Sequence, residues 1–130
     1  MNDKIAELLT GIKNAGMVGK PHAVVPVSKF KKQILLVLKR LGYIADFEEV
    51  GEGVHKNFKV AIAYHKDGTP RVQGAKRVSK LSRRMYVGYR DILPVKYGHG
   101  AMILSTPEGI MTEGEAKAKK LGGEALFIIW

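Results

Sequence analysis

Two kinds of group in this sequence are spaced so that they could act on a ligand: small hydroxyls and cations. Ser105 and Thr106 follow the apolar run Ala101 to Leu104 and enter a tight turn at Pro107-Glu108-Gly109, after which Gly109-Ile-Met111 leads away. Small hydroxyls are thereby expected at the tip of a hairpin, where short side chains let a partner approach the backbone and lose little rotamer entropy. Upstream, Lys76, Arg77, Lys80, Arg83, Arg84 and Arg90 form a run with no acid between Lys76 and Arg90, interleaved with Ser79, Ser82, Tyr86 and Tyr89. A solvated charge run is the plain alternative, but such runs usually contain compensating acids, so the stretch reads as a phosphate contact.

Covalent chemistry is not indicated. The chain has no Cys, which removes disulfides and thiolate metal sites, and its four His (His22, His55, His65 and His99) lack ligand spacing, so neither metal nor cofactor is expected. Gly98-His-Gly100 is not a dinucleotide fingerprint, because Ile103 occupies the third glycine position. Ser105 lacks the flanking glycines of a nucleophile elbow, and an intervening strand holds it away from His99 at about 3.3 Å per residue. Glu108, Glu113 and Glu115 fall on a turn and a helix start, where capping and the helix dipole account for them. The chain is expected not to be an enzyme.

A formal charge of +10 over 130 residues, with pI near 9.9, calls for a polyanion, and nucleic acid is the commonest one for a compact basic domain. A membrane surface would require a basic amphipathic helix with Trp or Phe opposite, and the only Trp is Trp130. No run reaches the roughly 18 apolar residues of a membrane span, and no signal-type segment precedes the first amphipathic stretch. A soluble, cytoplasmic protein without membrane association is expected, and its length suits one ordinary domain or two small subdomains.

The elements that must position these groups follow from periodicity. Ile5, Leu8, Leu9 and Ile12 make one face of a helix from Asp3 to about Ala15, with Asn2 or Asp3 as cap, leaving Thr10, Lys13 and Asn14 off the stripe. Val24 to Val27 is a short strand that Pro26 assigns to a sheet edge. Ser28 caps a helix that carries Phe30, Ile34, Leu35, Val37, Leu38 and Leu41 and stops at Gly42. Lys29, Lys31 and Lys32 crowd its first turn against the macrodipole, which chance or a nearby phosphate would explain. Tyr43 to Val50 and Asn57 to Tyr64 form a hairpin, and the turn-rich His65 to Pro70 divides the chain. Asp91 to Tyr97 reads as a short turn packing Ile92 and Leu93. Thr112 opens a capping box with Glu115 and a helix to about Lys120, stopped by Gly122-Gly123, and Ala125 to Trp130 is a strand locked into a sheet. The fold class is α+β with two small subdomains: 1–66, ordered α-β-α-β-β, and 67–130, mostly short antiparallel strands with one short helix.

Ile103-Leu-Ser-Thr-Pro-Glu-Gly-Ile-Met-Thr112, Gly122-Gly123-Glu124 and Trp130 resemble the C-terminal signature of the ribosomal protein S8 family, which reads Ile-Leu-Ser-Thr-Ser-x-Gly-Val-Met-Thr, then Gly-Gly-Glu and a terminal Trp. Pro107 departs from it, replacing a second Ser. Thr10-Gly-Ile-Lys-Asn-Ala15 is similar to the family's Thr-x-Ile-Arg-Asn-Ala, with Lys13 in place of Arg, and Lys76-Arg-Val-Ser-Lys80 with Arg84-Met-Tyr86 is similar to its Lys-x-Ile-Ser-Lys-Pro-Gly-x-Arg-Val-Tyr. Leu81-Ser82-Arg83 departs there.

The resemblance implies a bacterial-type structural protein of the small ribosomal subunit that binds the central domain of 16S rRNA and helps assemble it. It also implies contact with neighbouring proteins such as S5, and with its own messenger RNA in members that repress translation. The expected RNA-binding residues are Ser105, Thr106, Gly109, Lys76, Arg77, Ser79, Lys80, Arg83, Arg84, Glu124, Thr10, Lys13, Asn14, Lys29, Lys31 and Lys32, of which Arg83, Lys29, Lys31 and Lys32 rest on charge and position rather than on the resemblance. Tyr86 joins them as a stacking partner, or else is a core aromatic. The rival reading is a basic module with no preference for one folded RNA.

Overall fold

In a computed structural model that describes residues 4–80, 82–92 and 100–130, the chain is α+β and divides into two compact units, Met1–Gln73 and Gly74–Trp130. The division falls beyond the turn-rich stretch. The His65 to Pro70 turn folds back on its own unit: the Arg71 amide donates to the Ala63 carbonyl at 2.9 Å, and Tyr64 bridges to Pro70.

The first unit runs α1 (Lys4–Met17), β1 (His22–Pro26), α2 (Lys29–Leu41), β2 (Ile44–Val50) and β3 (Asn57–Ile62), the expected order. The expected cap at Asn2 or Asp3 lies outside the described residues. The α1 stripe Ile5, Leu8, Leu9, Ile12 and Ala15 is buried. Ser28 is extended at φ −153° and its hydroxyl accepts from the Lys31 amide at 3.1 Å, while Gly42 at φ 84° ends α2 in the left-handed conformation that suits glycine. The three strands are antiparallel in the order β1-β3-β2, so β1 and its Pro26 do lie at an edge. Phe58, Val60 and Ile62 of the central strand are buried, and α1 and α2 pack on this sheet.

The second unit contains β4 (Ala75–Arg77), β5 (Tyr86–Val87), β6 (Ala101–Thr106), β7 (Gly109–Thr112), α3 (Glu113–Ala118) and β8 (Gly123–Ile129). All pairings are antiparallel in the order β4-β8-β6-β7, and β5 pairs with β8 as well. Leu104, Met111, Ala116, Ala125 and Ile92 pack together. Ile92 is thus in the core, whereas Leu93 to Tyr97, with Gly98 and His99, lies outside the described residues. The capping box forms as expected: the Thr112 hydroxyl accepts from the Glu115 amide, and the Glu115 carboxylate accepts from the Thr112 amide, each at 3.2 Å. The helix then stops at Ala118, earlier than expected, because Lys120 takes a positive φ of 58°.

Gly122 and Gly123 therefore have another task than stopping a helix. A Cβ on Gly123 would stand 2.2 Å from the Ser105 carbonyl oxygen, and one on Gly122 would stand 2.6 Å from that of Val87. The pair lets β8 enter between its neighbours' backbones. At the other end of β8 the Trp130 and Gly74 backbones exchange hydrogen bonds at 3.0 Å in both directions, and the indole lies where a Cβ on Gly74 would be.

Candidate nucleic-acid interface

Ladder geometry sorts the expected RNA-binding residues before any partner is considered. Neighbouring side chains of a strand project to opposite faces, so Ser105 and Thr106 cannot share a role. Ser105 is paired with Glu124 of β8 on one side and Ile110 of β7 on the other, and Glu124 pairs in turn with Tyr86 of β5. Opposed residues of an antiparallel pair share a face, so Tyr86, Glu124, Ser105 and Ile110 form one row across the sheet. Tyr86 is 72% exposed, a surface aromatic and not a core one. The Ser105 hydroxyl is partly buried and has no hydrogen-bond partner among the described residues.

Thr106 corrects the expectation of two hydroxyls offered at the tip. Its side chain is buried, and Oγ1 donates to the Gly109 carbonyl at 2.9 Å while accepting from the Glu108 amide at 3.2 Å. That hydroxyl closes the two-residue turn from within. Gly109 has φ 120° with open space around its Cβ position, so backbone conformation, not crowding, calls for glycine.

The basic segment also divides. Lys80 and Arg83 exchange backbone hydrogen bonds of 2.8 and 3.0 Å on either side of the place where the sequence departs from the Pro-Gly pattern; Leu81 itself is outside the described residues. The side chains of Lys76, Lys80, Arg83 and Arg84 are exposed. Arg77 is partly buried, and its guanidinium donates to the Ser79 carbonyl, so it serves the protein rather than solvent. Ser79 is likewise a correction: it is 1% exposed, its hydroxyl donating to Glu124 Oε2 at 2.5 Å and accepting from the Met85 amide at 3.0 Å. Arg84 Nη1 donates to the same carboxylate at 3.0 and 3.2 Å. Burial raises the Glu124 pKa. The Ser79 and Arg84 hydrogen bonds, with the Arg84 and Arg77 charges, outweigh it and hold the carboxyl below the usual range.

In the first unit, Thr10, Lys13 and Asn14 are exposed on α1, and Lys29 and Lys32 on α2. Lys31 is not available to a ligand: it lies one turn before Ile34 and Leu35 on the buried face and is 2% exposed. Its ammonium donates to Glu7 Oε1 at 3.3 Å and to the Pro26 carbonyl at 3.2 Å.

The family model described as Ribosomal protein S8 matches residues 3–130. The chain belongs to the ribosomal protein S8 family. It is 46% identical over 130 residues to the small ribosomal subunit protein uS8 of Dictyoglomus thermophilum, and 44% identical over 131 residues to that of a Synechococcus species, covering all of this chain and 98% of each relative. The uS8 protein of Petrotoga mobilis is 42% identical over 132 residues, with 99% of this chain and 98% of that protein covered. S8 proteins are structural constituents of the small ribosomal subunit rather than enzymes, and this chain is one of them.

Within the S8 frame, Pro107 becomes intelligible. The turn uses the Glu108 amide and the Gly109 carbonyl, so the donor that proline lacks is not one the turn employs. Sequence reasoning missed the joint action of Ser79, Arg84 and Glu124, since Ser79 and Glu124 are 45 residues apart. Strand alternation could have separated Ser105 from Thr106.

Proposed function

We propose that this chain binds small-subunit ribosomal RNA directly through the sheet of its second unit and helps organise that RNA during assembly. The observation that carries the reading is a Ser105 hydroxyl without a partner among the described residues, in one row with an exposed Tyr86, on a unit whose Lys76, Lys80, Arg83 and Arg84 face solvent. Folded RNA is recognised by shape, backbone and 2′-hydroxyls, which suits short hydroxyls and cations on a fixed surface. The cations supply salt-dependent affinity, the hydroxyl reads local shape, and Tyr86 offers a face for stacking. Membership of the family supports the central domain of 16S rRNA as the target and S5 among the neighbouring proteins. Its own messenger RNA is a second candidate target by the same resemblance. Thr10, Lys13, Asn14, Lys29 and Lys32 form a separate set of candidate RNA-binding residues on the first unit.

The test is a footprint of the purified protein on naked 16S rRNA with a salt titration. Protection of one compact internal helix is expected. Replacing Lys76, Lys80, Arg83 and Arg84 by Ala should flatten the salt slope by roughly 0.7 to 0.9 for each phosphate that is no longer neutralised. Diffuse, salt-sensitive protection would mean a generic basic module, and an unchanged slope would remove the segment from the interface.

A further inference from the structure

An acid at the centre of a surface meant for phosphates is unfavourable unless it does something else. Glu124 stands between Tyr86 and Ser105 in the row, yet only 14% of its side chain is exposed. Both oxygens are occupied: Oε2 accepts from the Ser79 hydroxyl at 2.5 Å and from Arg84 at 3.0 Å, and Oε1 accepts from Arg84 at 3.2 Å. Ser79 passes the connection on, accepting from the Met85 amide at 3.0 Å, and the Met85 carbonyl accepts from the Ala125 amide at 2.8 Å. The chain of bonds thus leaves β8 at Glu124 and returns to it one residue later. β5 is two residues long, and a ladder that short gives little support of its own.

We infer that Glu124 is a positioning residue for RNA recognition: its carboxylate, tied to Ser79 and Arg84, holds Arg84 and Tyr86 in register with Ser105 and makes no contact with RNA itself. This rests on the RNA-binding reading above and adds to it how the site acquires its shape. Arg84 uses Nη1 on Glu124 and keeps the remaining donors of its guanidinium for a phosphate. A fixed cation discriminates between folded RNAs, whereas a free one binds any phosphate. Removing the carboxylate charge therefore has opposite effects on the two kinds of RNA: less affinity for one folded site, and no less for random duplex.

The full chain with Glu124→Gln is titrated against a 16S rRNA fragment carrying the footprinted helix and against random duplex RNA, with thermal melts alongside. Cognate affinity should fall about tenfold, the size expected for weakening a hydrogen bond to a charged group. Duplex affinity should hold or rise, with the salt slope steeper by up to about 0.9 as Arg84 is released. Arg84→Lys keeps the charge on a half-exposed side chain and should lower cognate affinity at an unchanged salt slope. The double variant should lose no more cognate affinity than the larger single loss. Equal losses on both RNAs, an unchanged preference, or additive losses in the double variant would each overturn the inference. A wild-type protein with no preference for the fragment would instead overturn the RNA-binding reading beneath it.

Discussion

Ser105→Ala and Thr106→Val, one residue apart, should fail in different assays. Thr106 Oγ1 makes two hydrogen bonds inside the turn, at 2.9 and 3.2 Å, and valine keeps the shape while deleting both. Each is worth roughly 0.5–1.5 kcal/mol, and the freed Gly109 carbonyl, in a turn whose Pro107 and Glu108 are exposed, can be rehydrated, so the loss should be about 1–2 kcal/mol of stability. At this chain length that corresponds to a melting midpoint lower by roughly 4–8 °C. Ser105 Oγ has no protein partner among the described residues, so Ser105→Ala should leave the midpoint within about 2 °C. The same variant should weaken binding to the cognate rRNA by about 0.5–1.5 kcal/mol, roughly two- to twelvefold, and leave random duplex unaffected. Differential scanning calorimetry and filter binding on the two variants decide the matter. A Thr106→Val protein that melts like wild type but binds poorly, or a Ser105→Ala protein that melts early but binds normally, would invert the assignment and refute the ladder reasoning behind it.

Gly123→Ala should destabilise the protein by about 3 kcal/mol in urea unfolding, the upper part of the overpacking range, since its Cβ would meet the Ser105 backbone at 2.2 and 2.9 Å; an unchanged midpoint would show that β8 can shift freely. Lys31→Ala should cost about 2 kcal/mol, largely from the buried stem, and leave RNA affinity untouched; weaker binding at full stability would return Lys31 to the interface. The Glu124 pKa is depressed in the fold, so its contribution is complete above the unfolded-chain value and disappears as pH falls through the folded one. The stability gap between wild type and Glu124→Gln should be flat near neutrality and narrow below about pH 5, and a gap that widens with acid would contradict the Ser79 and Arg84 hydrogen bonds.

What the sequence disclosed was local. Ser28 and Gly42 bound α2, Thr112 and Glu115 close a capping box, and the alternation of Phe58, Val60 and Ile62 gives β3, because each signal spans a few residues. What it withheld depends on partners far along the chain. Three lysines open α2, and nothing within the helix's first turn says that Lys31 meets Glu7, 24 positions away, while Lys29 and Lys32 meet water. Ser79 reads as one more hydroxyl in a basic run until Glu124 is brought to it. β4 and β5 are three and two residues long, too short for any periodicity, and are strands only because β8 supplies a ladder. Gly122-Gly123 reads as a helix stop since that is its commonest local meaning; the close backbones of Ser105 and Val87 give it a different one.

That close approach also governs which positions of the second unit can accept a larger side chain. Because Gly122 and Gly123 fit β8 against the backbones of Ser105 and Val87, any larger residue there moves the strands that carry the row, and the change reaches the fold before it reaches a ligand. Arg83, Tyr86 and Pro107 are exposed, so burial sets no such limit on what can replace them.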